Sequence, residues 1–508
     1  MHAKGSRLLI GHTLLLLCLA PAITRAQAIR YELGQRLRAC EAAWEQTPDV
    51  AARNRATAHL KQAVTLFFSF RLNDAARRLD QARFALASAT EPTPAAQWAA
   101  SLYLNPETRF VDISQKTLNL TLTQLYPGGA DMPADAVLRI RMPQVHSVWA
   151  SGYVPSRATE EIRVSAIPQQ ISLNLAKFVL NKPRAFDRDY ELQLDIVVNG
   201  KTLAQSTQTI SLAARPAERL ATLKQQLAAL TDKGTTVETM RMAAALLDSL
   251  WQKQTLETNY PAAMLLRQAE DALNHHKAGM PYYQTSLDVA LSGMRGNWLS
   301  MALPDGTMTA RVFKPTRPGQ ARPNDPVPLV IALHGAGGTE NMFFDAYGVG
   351  KVARLCEERG WLLVSPRGTG MKPERIPQMI AELAKLTPID RRRVFVVGHS
   401  MGGGQTAALA GLMSEGLAGV AVLGGGGTVP ATPADNFKAL PYYVGIGTED
   451  FALPRARELR AALEKAGAAK LTYREYPGIE HLMIVQVALP DVFAFFDGIS
   501  KTRAAAKR

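Results

Sequence analysis

The stretch VFVVGHSMGGG, residues 394–404, constrains the fold more than any other part of the chain. Four apolar residues, most of them β-branched, run straight into a glycine-flanked serine. A short uninterrupted apolar run reads as a strand buried on both faces. Directly after it, Gly398-His399-Ser400-Met401-Gly402 spells G-x-S-x-G. Placed after a strand and ahead of a helix, this pattern forms a strained elbow. Its glycines let neighbouring backbone come close, and the serine hydroxyl is presented at the strand's carboxyl end.

The chain around it supplies a sheet for that strand. Apolar runs at 327–333, 361–364, 394–397, 419–423, 442–446 and 471–476 alternate with amphipathic segments such as 346–359 and 455–466, after a hairpin turning at Asp305-Gly306. The alternation predicts a mainly parallel sheet with helices on both faces and chemistry at the carboxyl ends of its strands. The earlier half follows other periods. Residues 29–90 place Phe68, Leu72, Ala75, Leu79, Ala82 and Leu86 at helical spacing and read as an antiparallel helical pair. From 107 to 213 the period is two, with LNLTLTQL at 118–125, LQLDIV at 192–197 and an Asn199-Gly200 turn, which predicts a small β-sandwich. Helical spacing returns over 216–275 and ends at His275-His276, read as a solvated helix end. The segments AARRLDQARFAL (75–86) and AAMLLRQAEDAL (262–273) align without a gap. Either two Ala- and Leu-rich helices resemble each other by chance, or equivalent hairpins pack together around an inserted sandwich. The expected division is 1–28, 29–105, 106–215, 216–280, 281–500 for the α/β catalytic part, and a basic tail at 501–508.

A serine hydroxyl needs a base to take its proton, and in this architecture the partners come in the order Ser, acid, His. His481, in YPGIEHLM, is the histidine that comes after Ser400 in the sequence, just past the run 471–476. The acid belongs after YYVGIG, where GTEDFALP offers Glu449 and Asp450. Its role would be to fix the histidine tautomer and stabilise the imidazolium. Acyl transfer also needs donors for an oxyanion. VIALHGAGG, 330–338, ends an early strand in a His-Gly loop; the N–H groups of Met401 and Ala336 are the expected pair, with His334 ordering the loop. The run Gly424–Gly427 is expected to allow close approach beneath the site. A phosphate cradle is the competing reading of the Gly-rich loop, but G-K-[ST] and G-x-G-x-x-G are missing.

Composition narrows the partners. The formal charge is +14, which suits anionic envelope surfaces or acidic polymers, yet no basic run interleaved with aromatics points to nucleic acid. Lys4 and Arg7, an apolar stretch through Leu14–Leu19, Pro21 and Ala26-Gln27-Ala28 have the three-part layout of a secretory signal peptide rather than a membrane span, so the mature protein is expected in the periplasm or outside the cell. Cys40 and Cys356 then remain, read as two separate buried thiols. H-E-x-x-H and C-x-x-C are lacking, and neither metal nor cofactor is expected.

With these residues in place, 298–499 resembles the α/β-hydrolase superfamily, and within it the secreted esterases grouped with polyhydroxybutyrate depolymerase, feruloyl and acetylxylan esterases and dienelactone hydrolase-like proteins. The carrying features are LHGAGG, ERGWLLVSPRG, DRRRVFVVGHSMGG, GTEDFALP and EHLM, in family order. The resemblance implies an α/β-hydrolase fold, favours Asp450 over Glu449 as the acid, and implies carboxylic ester hydrolysis. It implies nothing about 29–290. Caps in this superfamily commonly come after the sixth strand, and Thr428–Ala439 is short for one. An open site is therefore expected, suited to bulky or polymer-linked esters, with Phe343, Phe344, Tyr347 and Phe451 at its entrance. The competing functions are a serine peptidase of prolyl oligopeptidase type and an inactive hydrolase-like binding protein. For the β region the expected partner is a glycan, a polymer or an envelope protein.

Overall fold

Pro48 cannot continue a helix, and the Asp49 side chain accepts the N–H groups of Ala51 and Ala52 to start a new one. The first apolar segment is therefore not a pair but three helices: α1 (29–46), α2 (Val50–Phe68) and α3 (Leu72–Ala87). The computed structural model describes residues 29–129, 131–146, 153–155, 158–178, 187–282, 296–315, 325–368, 371–413, 416–429 and 437–505. The signal peptide expected at 1–28, the end of the basic tail and most of the 428–439 connection lie outside the described residues.

α4 (Pro94–Ser101) leads into the β region. One sheet holds β1 (Leu102–Pro106), β3 (Thr117–Gln124) and β8 (Gln169–Asn174). The other runs β2 (Phe110–Asp112), β10 (Lys201–Ala213), β9 (Arg188–Val198), β4 (Val137–Arg141), β7 (Thr159–Arg163), with β5 (Gln144–His146) and β6 (Tyr153–Pro155) as a separate ribbon. Alternation makes the sandwich: Leu118, Leu120 and Leu122 of β3 turn inward to meet Leu138, Ile140, Leu192 and Leu194 of the facing sheet. The β9–β10 hairpin closes through Asn199 and Gly200, both at positive φ (50° and 71°), the conformation a two-residue hairpin turn requires.

α5 (Pro216–Ala228), α6 (Thr235–Trp251) and α7 (Ala262–Lys277) come next. Asp189 of β9 accepts the N–H groups of Ala263 and Met264 and so fastens the start of α7 to the sandwich; burial pushes its carboxyl up to about 6. His275 and His276 are half-buried at the end of α7, where the His275 ring packs on Tyr282 rather than standing free in solvent.

The remaining strands are β11 (Asn297–Leu303), β12 (Gly306–Phe313), β13 (Val327–Leu333), β14 (Leu362–Pro366), β15 (Ile389–His399), β16 (Gly419–Leu423), β17 (Tyr442–Gly447) and β18 (Leu471–Tyr476), in the order β11-β12-β14-β13-β15-β16-β17-β18. β11 and β12 join antiparallel, and β14 to β18 pair parallel. Successive strand residues feed opposite cores. Leu329, Ile331, Val394 and Val396 share a core with the helices Arg375–Leu386 and Met401–Leu412 and, through α6 on β11, with α5 and α7; Val330, Ala332, Phe395 and Val397 share another with the helix Tyr347–Arg359, the C-terminal helix Ile484–Ala505 and α1, α2 and α3. The look-alike helices α3 and α7 thus lie in different cores. They do not pack together around an inserted sandwich, because α3 lays its apolar stripe on α2 and α7 lays its own on α6, each pair in its own core. Cys40 and Cys356 are buried and unpaired, and burial drives both thiols far above their usual range.

Candidate active site

β15 lies between β13 and β16, so Gly398 stands beside Leu333 and Val422 at their carboxyl ends. Ser400 then turns with φ 54° and ψ −115° into the helix Met401–Leu412. The close approach is tight: a Cβ on Gly398 would lie 2.1 Å from the Gly402 carbonyl oxygen, and one on Gly402 would lie 2.1 Å from that of Leu333. The Ser400 N–H donates to the Leu423 carbonyl (2.9 Å), and Gly425 passes beneath, where a Cβ would sit 2.7 Å from the Ser400 carbonyl oxygen. Positive φ costs a non-glycine residue about 1–3 kcal/mol; here the packed neighbours on both sides hold it.

His481 and Asp450 converge on this hydroxyl. His481 Nε2 lies 3.0 Å from Ser400 Oγ, and its Nδ1 lies 3.0 Å from each oxygen of Asp450. Asp450 also accepts the Ala452 N–H (2.8 Å), and its side chain is fully buried. A carboxylate on Nδ1 keeps the proton there and leaves Nε2 as the acceptor. Glu480 accepts the N–H groups of Leu482 and Met483 (2.8 and 2.9 Å), which fixes the turn carrying His481; burial pushes its carboxyl up to about 7. Glu449, the other acidic candidate, points away and pairs with Lys61 (2.6 Å).

The oxyanion loop runs alongside. A Cβ on Gly335 would lie 3.2 Å from Ser400 Cβ. Ala336 lines the same cavity as Ser400 and His481, and Met401 is the first residue of its helix, where N–H groups lack intrahelical partners. The ring nitrogens of His334 face the Gly335 and Arg367 carbonyls (2.8 and 2.9 Å), as a loop-ordering residue would.

Two groups in this site carry no motif. His399 is buried and held well below its usual range by desolvation, so the ring is neutral. Its Nε2 donates to the His481 carbonyl (3.0 Å), and its Nδ1 accepts from the Tyr347 hydroxyl (2.8 Å), which in turn accepts the Gly335 N–H (3.3 Å). One hydrogen-bonded chain therefore ties the 334–338 loop to the loop that carries His481. Tyr347 opens a run of four residues at positive φ, Tyr347-Gly348-Val349-Gly350. The buried carboxyl of Glu41, on α1, takes the Gly348 N–H (3.2 Å), and burial pushes it up to about 8. The two glycines hint at that turn in the sequence; nothing near residue 41 does.

The site is partly covered, with Ala336 and Met401 still exposed at its mouth. A cavity of about 160 Å³ lies over Ser400 and His481, and its far wall comes from Leu33, Leu37, Val64, Phe67 and Leu79 of α1, α2 and α3. Phe67 rests on the oxyanion loop, where a Cβ on Gly337 would lie 2.6 Å from its ring tip. Thr57 donates to the Gly478 carbonyl (3.0 Å), and Phe68 meets Phe451, which packs on the His481 ring at 4.5 Å. The open site expected from the short 428–439 connection is thus narrowed on one side, because α1, α2 and α3 from the other end of the chain supply a wall. Of the aromatics expected at the entrance, Phe451 is exposed there, whereas Phe343 and Phe344 are core residues and Tyr347 is buried in the hydrogen-bonded chain. Among the described residues no group of His, Cys, Asp or Glu could hold a metal ion, and no helix is long and apolar enough to cross a membrane.

Residues 330–504 match the profile described as the Alpha/beta hydrolase family. No curated protein sequence matches the chain. Solved structures similar to it include the S-formylglutathione hydrolase FrmB from Staphylococcus aureus (14% identity, 40% of this chain and 98% of that one, TM-score 0.33). The feruloyl esterase module from Clostridium thermocellum is 15% identical over 43% of this chain and 89% of that one (TM-score 0.32). The poly(3-hydroxybutyrate) depolymerase LpqC from Bordetella parapertussis is 17% identical over 40% and 90% (TM-score 0.32).

Proposed function

From the premise that residues 330–504 form an α/β-hydrolase region, we propose that the chain is an exported serine hydrolase cleaving carboxylic esters through an acyl-enzyme. The observation that carries the reading is the relay from Asp450 through His481 to Ser400 Oγ, each step 3.0 Å, beneath a cavity large enough for an acyl group. Ser400 Oγ attacks the ester carbonyl while His481 Nε2 takes its proton. The N–H groups of Met401 and Ala336 receive the developing oxyanion, and Asp450 stabilises the imidazolium. His481 returns the proton to the departing alcohol, and water, activated by the same nitrogen, releases the acid. Export rests on the layout of residues 1–28.

The test is hydrolysis of p-nitrophenyl esters and labelling by a fluorophosphonate. Ser400→Ala and His481→Ala should each lower kcat by on the order of 10⁴-fold or more, and label should appear on Ser400 alone. An intact protein that turns over no ester and takes no label would overturn the reading in favour of a binding protein.

A further inference from the structure

The segment before the family match has no assigned role, yet it forms the wall facing the nucleophile. We infer that α1, α2 and α3 build the acyl-binding subsite of this enzyme, and that the subsite selects an apolar acyl group of medium length, about six carbons. The inference rests on the serine hydrolase reading.

Position assigns the cavity to the acyl side. An ester carbonyl must sit against the oxyanion loop, and Gly335, Ala336 and Gly337 line this cavity with Ser400. The alcohol must lie toward His481 Nε2, which protonates it. A second cleft of about 320 Å³ lies beyond His481, beside Lys61, Thr448, Asp450 and Phe451. Val64, Phe68 and His481 border both spaces, but Ser400 lines only the first, which leaves that one for the acyl group.

Chemistry assigns the class. Leu33, Leu37, Val64, Phe67, Leu79 and Met342 give the cavity an aliphatic and aromatic wall. Of the charged groups at its margin, Asp345 is engaged by Arg311 (2.9 Å), Glu257 by the Tyr260 hydroxyl (2.9 Å), Glu41 by the Gly348 N–H (3.2 Å) and Arg30 by the Gly337 carbonyl (3.1 Å), with Arg38 beside them. Size sets how much of the chain is buried: the covered part, about 160 Å³, is close to the roughly 150 Å³ apolar cavity that accepts benzene, so a longer chain emerges at the open mouth. Phe67, wedged between this space and Gly337, is the residue that limits it.

The experiment compares kcat/KM for p-nitrophenyl acetate, butyrate, hexanoate, octanoate and dodecanoate on the full chain, with fluorophosphonate labelling of Ser400 run in parallel. Each methylene buried should raise kcat/KM about fourfold up to hexanoate, with a fall of about tenfold or more by dodecanoate. Phe67→Ala should raise the dodecanoate-to-hexanoate ratio by about tenfold. Leu33→Trp, at a partly exposed position, should shift the optimum toward butyrate and serves if the first variant takes no label. Acetate preferred over hexanoate, or variants that scale all esters equally, would overturn the subsite while a labelled Ser400 leaves the hydrolase standing. An unlabelled Ser400 with no turnover would overturn both.

Discussion

Replacing Tyr347 by Phe removes the hydroxyl that accepts the Gly335 N–H and donates to His399 Nδ1. Two buried polar groups then lose their partner, at about 1–3 kcal/mol each. We expect kcat for p-nitrophenyl butyrate to fall about tenfold or more with little change in KM, because the loop that receives the oxyanion loosens while the cavity keeps its shape. Glu41 makes a second residue-scale prediction, in stability. Its folded carboxyl is raised from 4.5 to about 8 by burial, and Glu480 likewise to about 7. A raised carboxyl binds its proton more tightly in the folded state, so its contribution is complete below the unfolded value and is lost as pH climbs through the folded one. Urea denaturation from pH 5 to 9 should therefore show declining stability across this window, and Glu41→Gln should flatten the decline. Ser400 and His481 were legible residue by residue, since G-x-S-x-G and the order of acid and histidine need only local chemistry, whereas the choice of Asp450 over Glu449 came from the family resemblance. Tyr347, His399 and Glu41 were not, because hydrogen bonds spanning 52 to 307 positions leave no local pattern.

At the scale of elements, the elbow depends on backbone passing where a side chain would stand. Gly402→Ala would put a methyl 2.1 Å from the Leu333 carbonyl oxygen, separating β13 from the helix after Ser400. Loss of activity together with a lowered Tm is expected, whereas Gly498→Ala, where a Cβ meets nothing within 4 Å, should leave Tm almost unchanged. α1 is held by a buried ion network: Arg36 bonds Glu32 (2.7 Å), Asp80 of α3 (2.9 Å) and the Ala100 and Leu102 carbonyls at the start of the sandwich. Arg36→Met would leave two carboxyls without that partner, at about 3–5 kcal/mol, measurable in the same denaturation series. The strands of the catalytic sheet could be read directly, because a β-branched apolar run has few other fates in a folded chain. The helices were legible as helices, though not in number where Pro48 and Asp49 divide the first run.

For the whole molecule, the α/β-hydrolase region borrows part of its cover from earlier in the chain. Its sheet is covered mainly by its own helices, among them Met401–Leu412 and Ile484–Ala505, but α6 packs on β11, and Trp44, Leu60 and Leu79 of α1, α2 and α3 share the core of the other face. A fragment starting at Gly296 would expose Trp298, Leu299 and Met301 of β11 and part of that second core, and we expect it to aggregate or unfold during size-exclusion chromatography under conditions in which the chain from residue 29 runs as a single species. The sequence by itself determined the catalytic sheet, the elbow, and Ser400 and His481 as partners, because periodicity and short motifs record what each residue needs from its immediate neighbours. Only the tertiary structure decided that the site has a wall facing the nucleophile, and that helices from the far end of the chain build it. An amphipathic stripe shows that a helix must bury one side, but which surface receives it depends on contacts far apart in sequence, and these exist only once the chain has closed on itself.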